Sequence, residues 1–349
     1  MITIAGREIG PHTRPYLIAE MSGNHNRSLE RALAIVDAAA AAGADAIKLQ
    51  TYTADTMTLD SSAPGFVVDD PTSLWAGQRL HDLYAQAATP WDWHAPLMER
   101  ARAHDLHCFS TPFDASAVDF LEQLDAPAYK IASFECTDLA LIRRVATTGK
   151  PLIISTGMAS LAEIDDAVRA ARAAGNEQLV LLKCTSTYPA SPANTNLRTL
   201  PALHAAFGTE VGLSDHTMGH GAAIASVALG ACVIEKHFTL RRADGGVDSA
   251  FSLEPAEFAQ LRVESERAWA ALGEVSFGTS APEQGSLQFR RSLYIVKPVR
   301  AGERLSADNV RAIRPGFGLA PKHLNQVLGS RLSVDASAGT PLSWDLLRA

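Results

Sequence analysis

The stretch VGLSDHTMGHGAAIASVALGACVIEKHFTL, residues 211–240, decides the fold. It opens with a short apolar run at 211–213 and passes through a polar turn holding Asp215 and His216. It continues as a Gly/Ala-rich helical segment and closes in a second apolar run ending at His237. This is a strand-helix-strand unit, whose two strands lie parallel and side by side. Residues just past their carboxyl ends project into one space, so His216 and His237 are candidate co-ligands of one metal ion. Glu235 and Asp215 stand close enough in sequence to orient them as carboxylate partners. Taken singly, each histidine also fits a half-buried residue closing a strand.

The alternation extends outward from this unit. Strand-like runs begin at Tyr16 (YLIAE), Ala46 (AIKLQ), His107 (HCFS), Ala128 (AYKIAS), Leu152 (LIIST) and Leu179 (LVLLK). Segments of helical periodicity lie between them, several ending at Gly. With the closing helix PAEFAQLRVESERAWAAL, eight strand-helix pairs describe a TIM (β/α)8 barrel over residues 1–275, with a doubly wound sheet as the alternative. Residues 276–288 are rich in small and polar side chains, as a linker is. Residues 289–349 read as a small β-rich module with strand-like pieces at SLYIV and GTPLSW.

Barrel chemistry sits at the carboxyl ends of the strands. Those ends carry Glu20, Lys48, Gln50, Ser110, Thr111, Lys130, Ser133, Glu135, Ser155, Thr156, Lys183, Ser186, Tyr188, Ser214 and Glu235. Hydroxyls and lysines gathered at one mouth suit a phosphorylated or carboxylated ligand, with Lys48 and Lys130 as point charges for the anion. Solvated rim charges are the alternative for each lysine. Strand alternation puts Glu235 and His237 on one face and Lys236 on the other, beneath the helices. The segment 51–89 exceeds an ordinary loop and predicts a lid or binding loop with a helix around SLWAGQRLHDLYAQA. Trp75, Trp91 and Trp93 in or near it fit a loop anchor or a sugar platform.

With 349 residues and 47% hydrophobic content, the chain holds one large domain and a small one. A net charge of -7 without a long basic run argues against nucleic-acid and polybasic membrane partners. Four scattered cysteines, lacking CxxC spacing, read as reduced thiols of a cytoplasmic protein. The start of the chain lacks the charged-then-apolar pattern of a secretory signal, and no apolar run reaches membrane-spanning length.

Taken in order, IAEMSGNHN, IKLQT, YKIASFE, ISTGM, KCTSTYP, GLSDHT and IEKHFT, with RPGFG in the tail, resemble the sialic acid synthase family over nearly the whole chain. The resemblance implies a TIM barrel joined to an antifreeze-like (SAF) domain, in a homodimer whose tail domain reaches over the partner barrel. It implies condensation of phosphoenolpyruvate with an N-acylated amino sugar, releasing phosphate, with a divalent ion such as manganese or magnesium on His216 and His237. Phosphoenolpyruvate contacts carry over to Lys48, Lys130, Ser133, Ser155 and Ser214. Glu20 matches the active-site glutamate, Tyr188 and Asp248 match sugar-side positions, and Arg314 matches the tail arginine that contacts the sugar acyl group across the dimer.

Ser186 and Phe134 depart from the N-acetylneuraminate branch, where asparagine and glycine commonly stand. The Trp-containing stretch after residue 72, the DSAFSLEP run and the ending PLSWDLL resemble the pseudaminic acid branch. Its sugar is 2,4-diacetamido-2,4,6-trideoxy-L-altrose, whose methyl group favours an apolar wall. N-acetylneuraminate or legionaminic acid synthesis is the alternative chemistry, and a nonenzymatic sugar-phosphate binding protein the alternative of another class. Flagellin or capsule glycosylation is the usual family context.

Overall fold

The structure is a computed structural model and describes residues 2–71 and 73–348. The chain divides into two compact units, Met1–Gly273 and Glu274–Ala349. In the first, eight parallel strands close into a barrel: β3 (Tyr16–Glu20), β4 (Ala46–Thr51), β5 (His107–Pro112), β6 (Tyr129–Ile131), β7 (Leu152–Ser155), β8 (Leu179–Cys184), β9 (Glu210–Asp215) and β10 (Val233–His237). β10 returns to pair with β3, setting His237 opposite Glu20, so the sheet is closed and the doubly wound alternative falls.

A hairpin of β1 (Ile2–Ile4) and β2 (Arg7–Ile9) precedes the barrel and has no counterpart in the sequence reading. Its three-residue strands are too short to show a period. Ile2, Ile4 and Ile9 join Tyr16, Ile18, Ala46, Phe109, Ile153, Val180 and Leu182 in one buried cluster that fills the lower barrel. These barrel residues are the inward positions of their strands, two apart. Continuing the same parity upward gives Glu20, Lys48, Lys130, Ser155, Cys184, Ser214, Glu235 and His237. Each strand therefore reads apolar at its foot and polar at its head.

Outward positions such as Leu17, Ile47, Ile131, Ile154, Leu181 and Ile234 pack beneath the helices in a second cluster. The helices are α1 (Leu29–Ala41), α2 (Ala54–Met57), α3 (Leu80–Ala87), α4 (Trp91–Ala103), α5 (Ala115–Gln123), α6 (Leu139–Ala146), α7 (Leu161–Ala173), α8 (Thr199–Phe207), α9 (Gly221–Val227) and α10 (Pro255–Leu272). Side-chain caps start several of them: Ser28 accepts from Arg31 N–H, Asp114 from Ala117 N–H, and Ser160 with Glu163 forms a capping box. α3 is shorter than its sequence predicted. Gly77 turns with φ +76 and Arg79 is still extended, so the helix begins only at Leu80.

Between β9 and β10, Gly212 faces its neighbour strand so closely that a Cβ there would lie 2.2 Å from the Val233 carbonyl oxygen. Below the mouth, Asp45 gathers Arg7, Arg14 and Arg262, with Arg14 Nη1 at 3.0 Å, and accepts the Leu17 N–H at 2.8 Å.

The second unit has a core of Leu293, Ile295, Val299, Leu305, Val310, Val327, Leu332 and Leu342. Its ladder pairs β11 (Ser292–Ile295) with β12 (Val310–Ile313), antiparallel. The expected strand at GTPLSW is reduced to a bridge between Tyr294 and Pro341, since proline brings no N–H to a ladder. The stretch read as a linker contains a 3-10 helix, Ala281–Phe289.

Candidate active site

At the head of the barrel the inward parity converges on a buried four-charge cluster. Lys48 Nζ lies 3.0 Å from Glu20 Oε2 and 3.2 Å from Glu235 Oε1, while Lys130 Nζ lies 3.1 Å from the same Glu235 oxygen. Ser214 Oγ donates to that oxygen at 3.2 Å, and Gln50 Nε2 donates to Glu20 Oε1 at 2.9 Å. Every one of these residues except Gln50 is buried. The two lysines are thus floor charges held by carboxylates rather than solvated rim charges.

The environment separates the two glutamates. Burial raises Glu20 to about 7, opposed by Lys48 and assisted by the charge of Glu235. Burial also acts on Glu235, yet Lys130 and Lys48 together override it and hold that carboxyl well below its usual range. Lys130 is lowered, first by burial and then by Lys48, with Glu235 opposing. One carboxyl therefore stands ready to exchange a proton near neutrality while the other stays ionised, a division common to acid-base sites.

The histidines meet beside this cluster, their ring centroids 5.2 Å apart. His216 Nδ1 lies 3.0 Å from the Thr185 carbonyl oxygen. Burial lowers its value, but Cys184 and the Thr185 carbonyl outweigh it and raise the ring; in the neutral form, donation from Nδ1–H to that carbonyl leaves Nε2 with its lone pair. His237 Nδ1 is buried without a hydrogen-bond partner and lies 3.6 Å from Asp248 Oδ2. Burial first and the neighbouring His216 second lower His237 well below its usual value, which keeps the imidazole neutral and able to ligate. The pair fits a divalent ion with two protein nitrogens, its other positions left to water and substrate. Among the described residues no group of three or more His, Cys, Asp or Glu forms a fuller metal cage.

The expected carboxylate partners differ from what sequence proximity indicated. Asp215 sits on the outer face, where its Oδ2 receives Lys236 Nζ at 3.0 Å, and Lys236 also donates to the Thr217 and Gly219 carbonyls. Adjacent strand residues point to opposite faces, so Asp215 cannot accompany His216. Glu235 serves the lysines. The carboxylate beside His237 comes instead from Asp248, which Ser22 Oγ also contacts and whose own value burial raises.

Other candidates assemble around one cavity of about 320 Å³ lined by Glu20, Lys48, Lys130, Ser133, Ser155 and Ser214 at its base. Ser155 Oγ is buried without a partner, free to meet a ligand. Ser133 Oγ accepts the Gly157 N–H at 3.2 Å. Glu135, Tyr188 and Asp248 line the sides; Glu135 Oε2 is buried and unpartnered, and burial raises that carboxyl to about 7. Tyr188 packs on the His216 ring at 4.5 Å between centroids. Ser186 stands one step back, close to Gly157 and 3.8 Å from Cys184 Sγ, rather than on the cavity wall. Phe134 lines the cavity while 61% exposed, which places it at the rim. Arg314 belongs to the second unit, exposed just after β12. The tryptophans divide: Trp91 stacks on Phe120 and Trp93 meets His25 edge-on, whereas Trp75 lines the cavity and donates to the Val247 carbonyl at 3.1 Å.

Sequence reasoning gave Glu235 no charge-holding role and left Gln50 and Thr185 without one. The parity of Glu235 with His237 in VIEKH was the available signal, and only strand register adds Lys48 and Lys130 to it.

A closed parallel barrel with paired lysines, paired carboxylates and two histidines at its head defines a barrel enzyme of anionic substrates. The chain belongs to the NeuB family, whose model matches residues 35–277, with a SAF domain at 290–348. It is 43% identical over 327 residues to the pseudaminic acid synthase of Campylobacter jejuni, covering 94% of this chain and 95% of that one. It is 36% identical to the N,N'-diacetyllegionaminic acid synthase of Legionella pneumophila, covering 96% and 95%. A crystal structure of N-acetylneuraminic acid synthetase from Leptospira borgpetersenii superposes with a TM-score of 0.74 at 31% identity, covering 83% of this chain and 95% of that one.

Proposed function

We propose that the chain is a pseudaminic acid synthase, a transferase that condenses phosphoenolpyruvate with 2,4-diacetamido-2,4,6-trideoxy-L-altrose to give pseudaminic acid and phosphate. The observation that carries this reading is the buried Lys48–Glu235–Lys130 cluster at the cavity base, within a chain 43% identical to the Campylobacter jejuni enzyme.

In the reaction the enol C3 bonds to the sugar aldehyde carbon, whose oxygen takes up a proton. Water adds to C2 and gives up a proton, and the C2–O bond breaks to release phosphate. Lys48 and Lys130, with Ser133, Ser155 and Ser214, hold the phosphate and carboxylate and stabilise charge as it moves between them. Glu20, poised near neutrality, takes the proton of the adding water. His216 and His237 would hold a divalent ion, manganese or magnesium, which when bound would supply Lewis-acid polarisation of the aldehyde. Tyr188, Asp248 and Glu135 face the sugar, with Ser186 behind them.

The working form is a cytoplasmic homodimer in which Arg314 of one subunit's SAF domain reaches the sugar acyl group in the other's barrel. Among the described residues no helix is long and apolar enough to cross a membrane. Phosphate release from phosphoenolpyruvate with manganese tests the reading, with the altrose derivative and N-acetylmannosamine offered in parallel. Release with the altrose is expected. Faster use of N-acetylmannosamine would move the chain to the N-acetylneuraminate branch, and no release with either would leave a binding protein.

A further inference from the structure

The cavity has two chemically distinct ends. Its base is the charged layer of the barrel strands, while its outer wall comes from the long β4–α4 connection and carries Met57, Val68, Leu80, Leu83 and Tyr84, joined by Phe113 after β5. Leu80, Leu83, Tyr84 and Ala87 fall at i, i+3, i+4 and i+7 of α3, a single helical stripe, and all four line the cavity. An apolar stripe on a barrel helix ordinarily packs into the core. None of these four belongs to a hydrophobic core cluster of the described residues. Phe113 and Tyr84 both flank Tyr52, which lines the same cavity, with ring centroids 5.0 and 6.0 Å from it, so the three rings form one packed aromatic patch of the wall.

We propose that this apolar face of α3 is the specificity wall that receives the methyl-bearing, deoxygenated end of the sugar. The inference rests on the proposed reaction, which fixes the sugar's aldehyde carbon at the charged base beside the enol. The sixth carbon, at the opposite end of the chain, then points outward to the wall. A methyl group there buries against Leu80 and Leu83, whereas a hydroxyl at that carbon loses water and meets apolar side chains. An apolar wall of this kind discriminates against an added hydroxyl by about 100-fold at most. Phe134, at the exposed rim, contributes less to this choice than its bulk in the sequence indicates.

The test compares kcat/KM for the 6-deoxy sugar and its 6-hydroxy counterpart in the wild type, Leu83→Ser, Leu80→Ser and the volume-conserving Leu83→Met. The wild type is expected to prefer the deoxy sugar by about 10- to 100-fold. Both serine variants should cut that preference about tenfold through the sugar KM, with the KM for phosphoenolpyruvate unchanged, and Leu83→Met should keep it. Should Leu83→Ser fail to fold, Leu80→Ser, at the half-buried start of the helix, decides the matter. A wild-type enzyme that turns over both sugars equally, or serine variants that retain the full preference, would overturn the wall while leaving the reaction standing. Turnover of neither sugar would remove the proposed reaction and the wall with it.

Discussion

The carboxylate of Glu235 lies 3.1 Å from the ammonium of Lys130, and neither group reaches solvent to any extent. The same carboxylate oxygen serves Lys48, which Glu20 also holds at 3.0 Å, so Lys48 has two carboxylate partners while Lys130 depends on Glu235. Removing it leaves Lys130 a buried cation without its carboxylate and Lys48 with Glu20 alone. Glu235→Ala should therefore destabilise the protein by about 3–5 kcal/mol, the usual result of breaking a buried pair from one side. Urea unfolding with and without added phosphate checks this, phosphate partly restoring the midpoint. An unshifted midpoint would show that the lysines do not depend on Glu235.

Glu135 gives stability a pH dependence whose sign is set. Burial raises its folded value from 4.5 to about 7, so the native state holds a proton that the unfolded chain has released. Its contribution is intact below about pH 4.5 and is lost as pH rises through about 7. Glu135→Gln removes the titration. The variant should gain stability over the wild type at pH 8 and show little difference at pH 4.5. Parallel denaturation midpoints at the two pH values would expose an error if the two proteins kept a constant gap.

The metal reading depends on two nitrogens. His237→Ala should weaken manganese binding by at least about 100-fold, measured by loss of the free-ion resonance signal on titration with protein. Chelation of the wild type should abolish phosphate release, and manganese should restore it. Unaltered manganese affinity in the variant would place the ion elsewhere.

Gly157 sits where a methyl group has no room. A Cβ there would lie 2.3 Å from Ser186 Oγ and 2.7 Å from Ser133 Oγ, so both hydroxyls must shift. Gly157→Ala should cut kcat/KM for phosphoenolpyruvate by up to about 100-fold through displacement of Ser133, with stability changed far less. If kinetics with phosphoenolpyruvate were untouched, Ser133 would not be a contact.

The architecture was legible in the sequence because parallel barrel strands are buried on both faces and read as bare apolar runs. Alternation in VIEKH alone assigned Glu235 and His237 inward and Lys236 outward. The site residues were legible to the extent that each ends a strand. Their partners were not, since register across strands decides them: Lys48 and Glu235 are 187 positions apart and meet through the closed sheet. Asp215 misled because proximity in sequence, one residue from His216, means opposite faces in a strand. The first hairpin and the length of α3 were hidden for local reasons, three-residue strands in one case and Gly77 in the other.

The isoleucine-rich filling beneath the mouth has an electrical consequence. It is a slab of low polarisability directly under Lys48 and Lys130, and field lines avoid such a medium. The excess positive charge that the cluster carries when Glu20 takes up its proton is thereby directed up the barrel axis, as from a lamp with a reflector behind it. On a protein of net charge -7, which repels anions in general, that axis becomes the direction along which a small polyanion is drawn in.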